Sequence, residues 1–467
     1  MTNMEGITRK LLHKHKSIDE IRMHLVKQYQ IFKDLPEPQL YDMANAIIEE
    51  VEKTEEIFNQ IDISLENSSQ NVVSAVLCPI ESNVSMGEGG VGCRGEGDNF
   101  VHQLLGEMSQ TSVHPVISPL SLDDTGAIQV DTSDGSKSTI IVTKMEGMHS
   151  RLSDFPFLAG FHVTRAMLRD IYVKGAVPLS IMVDVHLADD GDIGKLFDFQ
   201  AGIATVAEIS EVPITAGSTL RIGGDMVIGD RLTGGIAGIG LLKYPFFREN
   251  IRIGDSIIMT EGAGGGTIST TALYQGNMNV VEETLNFTFL DACRNILQQD
   301  RLCHNIHAMI DVTNGGLRND LLEISMINQL GFHVQLENVK DLVNPKVMNL
   351  LTESHIDYLG VSLDSLVIFC EPVIADEIVG FLKSINILSH KIGQVIKKEE
   401  LKFMDETGEM IMRPQFRESA YTKIKKEVDK IPENLEIQHR YLQRAFDQAL
   451  SKKKNLVEYL QQNRNTL

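Results

Sequence analysis

Apolar positions divide the chain into a helical beginning, a long middle of mixed character and a helical end. In residues 1–66, apolar side chains recur at helical spacing, and Ser17 with Glu20 forms a capping box ahead of one such run. From Val72 onward, short apolar runs alternate with longer helical patterns. After residue 417 the helical pattern returns. The pattern therefore predicts an α/β body between two helical extensions.

The middle is predicted to contain two successive α/β units, the second beginning near Ile251. In the first unit the predicted strands are Val72–Leu77, Ser138–Thr143, Leu179–Val185 and Gly235–Leu242, and the predicted helices are Asn99–Met108, Leu158–Lys174 and Ile193–Ile209. In the second unit the predicted strands are Ser256–Thr260, Ala308–Val312, Phe332–Gln335 and Ser365–Cys370, and the predicted helices are Glu282–Gln299, Leu317–Gln329 and Ile374–Ile385. We expect four segments: 1–70, 71–245, 246–415 and 416–467.

Composition and charge narrow the class of protein. A chain of 467 residues is too long for one compact core, and 42% hydrophobic with 23% charged residues is ordinary for a globular protein. The net charge of −21 argues against a nucleic-acid partner, because binding a nucleic-acid phosphate backbone needs a basic face. Five scattered cysteines without CxxC spacing predict free thiols in a reducing compartment. With no long apolar segment, we expect a cytoplasmic protein without a membrane partner.

The C-terminal tail differs from this acidic body. Residues 417–467 contain eleven Lys or Arg against seven Asp or Glu, with apolar residues at helical spacing. Such a tail can fold back on the body, dock a partner or stand as a solvated helix. The sequence leaves these three alternatives open.

The stretch Met86–Asp98 holds six glycines in thirteen residues, with Arg94 as its single cation. Glycine at this density predicts a loop whose backbone amides approach a ligand closely. A Rossmann turn is disfavoured, because Gly87 lies far beyond the preceding apolar run and no acid follows at the expected distance. A P-loop is excluded by the absence of GxxxxGK[ST]. A surface loop without a ligand remains the alternative.

Several acids follow this loop, each beside a predicted strand or near a helix end. Taken singly, each is typical of a helix cap or a turn. Taken together they are the oxygen ligands that Mg²⁺ uses with nucleotide phosphates. They are Asp123, Asp124, Glu146, Asp170 and Asp311.

In order along the chain, these features resemble the ATP-binding superfamily of aminoimidazole ribonucleotide (AIR) synthetase. Selenophosphate synthetase, thiamine-monophosphate kinase and the hydrogenase-maturation carbamoyl dehydratase belong to the same superfamily. The most diagnostic run is Arg169–Pro178, which resembles Asn-Asp-(apolar)-x-x-x-Gly-Ala-x-Pro. The other segments that carry the resemblance are Asp123–Ala127, Glu146–Arg151, Ala216–Thr219 and Ile310–Leu317.

The chain also departs from the family pattern. Arg169 stands where the family has asparagine, Glu146 where it has aspartate, and Ser218 where it has the acid of Gly-Gly-(Asp/Glu)-Thr. Asp225 is a candidate substitute for that last acid, at a different spacing. Cys93 is open to two interpretations: a reactive thiol, as in the selenophosphate synthetase branch, or a small loop residue.

The resemblance implies a PurM-like α/β (α+β) fold of two domains, with the first domains of two chains forming a shared β-barrel in a homodimer. It implies ATP and Mg²⁺ as cofactors, with the glycine loop over the phosphates. The implied function is phosphoryl transfer, or activation of an amide or carbonyl oxygen, on a small-molecule or protein-bound acceptor. The alternative is a catalytically lapsed nucleotide-binding accessory protein that binds a protein client through its helical extensions.

Site residues carried over by the resemblance fall into three groups. The candidate catalytic residues are Asp124, Asp170 and Asp311, and the candidate metal ligands are Asp123, Asp124, Glu146 and Asp170. The candidate nucleotide contacts are Gly89, Gly90, Gly92, Arg94, Gly95, Thr143, Gly175, Asn314 and Gly315.

Overall fold

A computed structural model describes residues 1–60, 76–77, 79–131, 138–397, 401–405, 408–411, 415–418, 421–428 and 434–464. The strand predicted at Val72–Leu77 lies mostly outside these residues, and its two described residues, 76 and 77, are helical. None of the helices in the described ranges has an apolar stretch long enough to cross a lipid bilayer.

Three helices and one short strand form the N-terminal extension. They are β1 (Thr2–Asn3), α1 (Met4–His13), α2 (Ile18–Phe32) and α3 (Glu37–Gln60). The predicted capping box is confirmed, since the Glu20 amide donates to Ser17 Oγ at 3.2 Å and the Ser17 amide donates to Glu20 Oε2 at 3.0 Å. The apolar faces of the helices meet in a small core around Ile21, Leu25 and Ile47.

The first α/β unit is built on an open five-stranded sheet. Its elements are α4 (Glu96–Met108), β2 (Gly126–Asp131), β3 (Ser138–Gly147), α5 (Pro156–Val173), β4 (Ala176–Leu187), α6 (Gly194–Ser210), β5 (Ile214–Arg221), β6 (Val227–Ile228) and β7 (Leu232–Leu242). The strand order is β2-β3-β7-β4-β5, and only β4 and β5 run parallel. The edge strands β2 and β5 were missed from the sequence because their mostly exposed side chains carry no apolar pattern.

The second unit is built on a seven-stranded sheet of order β14-β13-β10-β12-β8-β11-β9. Its strands are β8 (Ser256–Thr260), β9 (Ile306–Asp311), β10 (Leu330–Gln335), β11 (Leu366–Cys370), β12 (Ser389–Lys397), β13 (Leu401–Asp405) and β14 (Gly408–Ile411). Its helices are α7 (Gly266–Leu273), α8 (Met278–Glu283), α9 (Thr288–Ile296), α10 (Asp300–Cys303), α11 (Gly316–Asn328), α12 (Leu336–Lys340), α13 (Pro345–Glu353) and α14 (Ala375–Ser384). The single helix predicted at Glu282–Gln299 is therefore wrong in extent, because a turn separates α8 from α9 and Asn286 Oδ1 accepts the Thr288 amide there at 3.2 Å.

The C-terminal tail contains α15 (Lys423–Val428) and α16 (Leu435–Arg464). It folds back on the first unit, which is one of the three arrangements that the sequence left open. Lys453 Nζ donates to the carbonyl oxygens of Met108 at 2.7 Å and Gln110 at 2.6 Å. The His439 ring stacks on Phe100 of α4 with ring centroids 4.0 Å apart. The basic tail thus covers part of the helix that follows the glycine loop.

Helix α5 lies between the two units and is buried along most of its length. Its residues Met167 and Ile171 belong to the same apolar core as Phe289 of the second unit. On its other side α5 crosses α6 at two facing glycines. A Cβ on Gly160 would lie 2.1 Å from the Phe199 carbonyl oxygen, and a Cβ on Gly202 would lie 2.1 Å from that of Phe157. The crossing therefore requires glycine on both helices.

We expect Gly160→Ala to destabilise the protein by about 3 kcal/mol, because the added methyl group meets a backbone carbonyl that cannot rotate away. The matched control is Gly380→Ala in α14, where a Cβ has nothing within 4 Å. That change should stabilise slightly, by about 0.5 kcal/mol, since alanine favours a helix. Urea unfolding followed by circular dichroism measures both. Equal midpoints for the two variants would contradict the close crossing.

Candidate functional site

A cluster of buried ion pairs occupies the seam between the two units, and α5 supplies its centre. Arg165 and Arg169 lie one turn apart and face the second unit, whereas Asp170 and Lys174 lie one turn apart and face the first sheet. Two pairs at helical spacing therefore connect this one helix to carboxylates and cations on both sides.

Arg169 contacts three carboxylates with its three guanidinium nitrogens. The nitrogens lie 2.7 Å from Asp311 Oδ2, 2.7 Å from Asp364 Oδ1 and 3.4 Å from Asp170 Oδ1. Arg165 also pairs with Asp364. Burial opposes a charge here, but Asp311 and Asp170 outweigh it and hold the pKa of Arg169 well above the usual value. The residue that replaces the family's asparagine is thus the point where the two units are joined electrostatically.

Lys144 lies between two predicted metal ligands. Its Nζ is 2.6 Å from Asp170 Oδ2 and 3.1 Å from Glu146 Oε2. Because Lys144 and Glu146 are two residues apart on β3, both side chains extend from the same face of the strand. Burial raises the pKa of Asp170 even though Lys144 opposes that shift.

The acids before β2 are paired in the same manner. Asp123 Oδ1 lies 2.8 Å from Lys174 Nζ, and Asp124 Oδ2 lies 2.7 Å from a terminal nitrogen of Arg248. Arg94 of the glycine loop reaches the other oxygen of Asp124 at 3.5 Å. Burial would raise the pKa of Asp124, but Arg248 and Lys144 outweigh it and lower that pKa. Asp124 therefore stays ionised.

Helix α11 adds two further buried acids to the cluster. Glu323 lies 3.4 Å from Arg94 and 3.4 Å from Arg248. Asp320 Oδ2 accepts the Thr313 amide at 3.2 Å, and burial together with Glu323 raises the pKa of Asp320 well above its usual range. Within the described part of the chain, Oδ1 of Asp320 and Oδ1 of Asp311 have no hydrogen-bond partner.

The glycine loop uses its own acids to hold its shape. The buried carboxylate of Asp98 accepts the amides of Gly92 at 2.9 Å and Arg94 at 3.0 Å. Glu88 accepts the amide of Ser85 at 2.9 Å. Arg94 has a positive φ of 53°, and the bond from its amide to Asp98 stabilises that conformation. Two of the three acids of this loop, Glu88 and Asp98, thus accept hydrogen bonds from backbone amides.

A segment from the chain's end, residues 415–418 and 421–428, packs on this loop. The Glu418 amide donates to the Arg94 carbonyl at 3.1 Å, and the Glu96 amide donates to the Gln415 carbonyl at 3.3 Å. The Glu418 carboxylate pairs with Arg318 of α11 through two bonds, of 2.9 and 2.7 Å. The loop is therefore held between this segment and the second unit.

The same segment is connected to the first unit through His149. The Tyr421 hydroxyl donates to His149 Nε2 at 2.6 Å, and His149 Nδ1 lies 3.1 Å from Thr270 Oγ1. Burial and the nearby charge of Lys425 lower the pKa of His149 to about 4, so its ring is neutral near pH 7 and Nε2 can accept. His149 lies two residues after the end of β3, so this hydrogen bond connects the tail segment to the chain that follows Glu146.

The structure brings most of the predicted site residues together. Gly315 is the N-cap of α11, and a Cβ on it would lie 3.0 Å from the Arg94 Cβ, so the two predicted nucleotide contacts are neighbours. Residues gathered in or next to the cluster are Gly92, Arg94, Asp123, Asp124, Glu146, Asp170, Asp311 and Gly315. Gly89, Gly90 and Gly95 lie in the same loop, where Gly90 and Gly95 contact residues 415–417.

Other predicted residues have structural roles outside the cluster. Gly175 ends α5 with φ of 77°, and a Cβ there would lie 1.9 Å from the Tyr244 carbonyl oxygen. Thr143 Oγ1 donates to the Gly126 carbonyl at 3.4 Å, and Asn314 Oδ1 accepts from Thr267 at 2.6 Å. Ser218, at the position of the family's acid, pairs in register with Asp184 of β4. Asp225, the candidate replacement for that acid, pairs with Arg221 at 2.5 Å.

Sequence reasoning missed four of the cluster's cations and three of its acids. The missed residues are Lys144, Arg165, Lys174, Arg248, Asp320, Glu323 and Asp364. One signal was present in α11, because Asp320 and Glu323 interrupt the apolar face formed by Leu317, Leu321 and Ile324. A charged residue on a buried helix face predicts a partner, but the sequence does not say which one.

The predicted metal ligands do not fit a bound Mg²⁺ in this arrangement. Asp124, Glu146 and Asp170 each have a Lys or Arg nitrogen within 3.1 Å. In the described ranges, no three His, Cys, Asp or Glu side chains are placed to hold a metal ion together. The donor oxygens are present, but the chain's own cations are bound to them.

These features define a class: a mixed α/β protein of two units with a charged site at their seam. Models of the AIR synthase related protein match this chain, the N-terminal domain over residues 122–242 and the C-terminal domain over residues 252–406. The chain belongs to the AIR synthase-related family, and the resemblance found in its sequence is confirmed. An uncharacterized protein of Methanocaldococcus jannaschii, MJ1416, is 45% identical over 467 residues, with 99% of each chain covered.

Several solved structures share the fold. A chain in the crystal structure of the HypE-HypF complex is 17% identical with a TM-score of 0.54, covering 68% of this chain and 99% of that one. Hydrogenase maturation protein HypE in complex with ATP is 18% identical with a TM-score of 0.51, covering 60% and 87%. AaThiL complexed with AMPPCP and TMP is 12% identical with a TM-score of 0.50, covering 66% and 94%. At these identities the likeness shows the PurM-like fold alone.

We expect Arg169→Met to lower the free energy of unfolding by about 3 kcal/mol, because three buried carboxylates lose their shared cation. The control is Arg221→Met, whose guanidinium pairs with Asp189 and Asp225 at the surface. Surface pairs contribute little, so that variant should unfold near the wild-type midpoint. Chemical unfolding at pH 7 measures both variants. A wild-type midpoint for Arg169→Met would contradict the role of Arg169 in joining the units.

Proposed function

We propose that the seam beneath the glycine loop binds ATP, and that the chain uses ATP for phosphoryl transfer or to activate an amide or carbonyl oxygen on an acceptor. One observation carries this proposal: Arg94 of the glycine loop, Asp124 and Asp170 of the first unit and Asp311 of the second converge on one cluster. ATP and AMPPCP in two solved proteins of this fold support the choice of ligand class.

Charge neutralisation is what phosphoryl transfer demands most of a protein. Among the cations of the cluster, Arg94 has the most exposed side chain, at 26%, and it lies on the loop that covers the seam. Guanidinium binds phosphate through two parallel hydrogen bonds. Arg94 is therefore the side chain that we expect to meet the terminal phosphates first.

Magnesium, the second cofactor predicted from the sequence, has no role in the proposed function. Its four predicted ligands already hold Lys144, Lys174 and Arg248, so a metal would enter only after those cations moved. The residues proposed to act on the nucleotide are Arg94, Lys144 and Arg169, through their positive charge. Asp124 and Asp170 position these cations, which is a different role from the metal ligation predicted from the sequence.

A second candidate function is ATP binding without turnover, in an accessory protein that recruits a client through its helical extensions. The observation in its favour is the pairing of every predicted metal ligand with an internal cation, which leaves these four carboxylates engaged instead of free to bind a catalytic metal. The tail helix α16 already contacts α4 beside the glycine loop, so a client bound to α16 would act near the nucleotide.

We also propose that two copies of this chain pair through the open face of the five-stranded sheet. Ile128, Ile141, Leu241 and Val177 are aligned across β2, β3, β7 and β4 by the strand register. Three of them are more than two-fifths exposed. An apolar row of this kind on a sheet face indicates a partner surface, and a second copy supplies the same row.

Calorimetric titration with ATP tests the nucleotide proposal. The wild-type protein should bind about one ATP per chain, and Arg94→Met should weaken binding by about tenfold or more, since it removes a charged phosphate contact. Arg301→Met is the control, because Arg301 pairs with Glu377 at the surface. Failure of the wild-type protein to bind ATP would refute the proposal.

Product analysis separates the two candidate functions in the same preparation. Release of ADP or AMP with phosphate, accelerated by a cell extract that supplies the acceptor, indicates an enzyme. Stable binding with ATP recovered intact under all these conditions indicates the accessory protein.

Light scattering tests the pairing of two chains. Wild-type protein should have the mass of a dimer, and Leu241→Lys should be monomeric, because a charge in the apolar row cannot be desolvated at the interface. Val373→Lys is the control, since Val373 is 83% exposed and lies in the second unit away from this sheet. A dimeric Leu241→Lys variant would mean that the two chains pair through another surface. A monomeric wild-type protein would contradict the pairing itself.

A further inference from the structure

We propose that Lys144 and Arg169 take the place of a divalent cation at this site, so that the chain binds its nucleotide without a metal ion. The inference rests on the proposed ATP site and states how that site neutralises charge. It follows from the disagreement between the family resemblance, which implies Mg²⁺, and the contacts of this chain's own side chains.

The position of Lys144 is that of a bridging cation. Its Nζ lies 2.6 Å from Asp170 on α5 and 3.1 Å from Glu146 on β3, so one positive charge connects two elements that supply predicted metal ligands. Magnesium would bind such oxygens at about 2.1 Å and in a near-octahedral shell. An ammonium group instead provides a point charge with three donors and needs no such shell. Mg²⁺ and the Lys144 ammonium group would therefore compete for the same oxygens.

Arg169 performs the same role between the two units. Its nitrogens contact Asp170 of the first unit and both Asp311 and Asp364 of the second. A metal that bridged Asp170 and Asp311 would have to displace this guanidinium from both. The displaced charge would then lie buried beside a dication, and removing one partner of a buried pair is strongly unfavourable.

Arg169 also has little freedom to withdraw. Its side chain is 9% exposed, and the helix that carries it is fixed by the close approach of Gly160 to Phe199. The acids before β2 offer no free alternative, since Asp123 holds Lys174 and Asp124 holds Arg248. The internal cations are thus part of the packed structure.

Manganese alone, added without nucleotide and followed by electron paramagnetic resonance, probes the site directly. Wild-type protein should leave the free Mn²⁺ signal unchanged. Lys144→Ala should gain about one Mn²⁺ per chain, because Glu146 and Asp170 lose the cation between them. Lys346→Ala, which removes a lysine paired with Glu283 at the surface, is the matched control and should gain none.

Nucleotide binding supplies the second measurement. The ATP affinity of wild-type protein should agree within about threefold between EDTA and excess Mg²⁺, a difference below the 1.4 kcal/mol of a tenfold change. A wild type that binds Mn²⁺ by itself, or whose ATP affinity falls more than about tenfold in EDTA, overturns the inference. The oxygens left for such a metal would be Oδ1 of Asp311 and Asp320.

The outcomes distinguish this inference from the proposed function. If ATP does not bind in either buffer, the nucleotide proposal fails. The manganese measurement still decides whether Lys144 and Arg169 take the place of a divalent cation. If Lys144→Ala folds, as judged by circular dichroism, and gains no Mn²⁺, then Lys144 does not hold a metal position. Should that variant fail to fold, the wild-type measurements alone support or overturn the inference.

Discussion

The pairing of buried charges along α5 is the constraint on which the rest of the structure depends. A helix that carries Arg165, Arg169, Asp170 and Lys174 through the interior is stable only if each charge has a partner close by. Those partners lie on β3, before β2, at the end of β9 and before β11. Pairing the buried charges of α5 therefore sets the relative position of the two α/β units and forms the candidate site between them.

The same constraint shapes the electrostatics of the site. Carboxylates that would repel a triphosphate are neutralised by cations from the chain, and the glycine loop brings Arg94 to the exposed edge of the cluster. The loop is in turn held by Asp98 from within and by residues 415–418 from outside. Residues 415–418 thus help to hold the glycine loop in place beside the candidate site. A change in the tail can therefore affect the candidate site without any change in the family's own motifs.

The sequence allowed much of the fold and part of the site to be predicted. Long helices with continuous apolar faces, such as α5 and α11, and fully buried strands such as β8 were predicted close to their observed bounds, because burial leaves a periodic pattern. The edge strands β2 and β5 leave no such pattern, because their side chains face outward. At the candidate site, motif order predicted the acids Asp124, Asp170 and Asp311, which the structure places in one ion-pair cluster, whereas Lys144 and Arg248 lie outside any recognisable motif and were missed.

The sequence by itself determined the two-unit α/β organisation, the helical extensions and the family, and it predicted the acids of the candidate site. It also identified Arg169 as a departure from the family pattern. The tertiary structure alone decided what that departure does, because only folding brings Arg169 within 2.7 Å of Asp311 and Lys144 within 2.6 Å of Asp170. Local sequence encodes periodicity and motif spacing, but ion pairs between residues far apart in the chain depend on how α5 is buried. The same holds for the glycine loop. Its composition predicted a loop, but its position depends on hydrogen bonds to the distant residues 415–418.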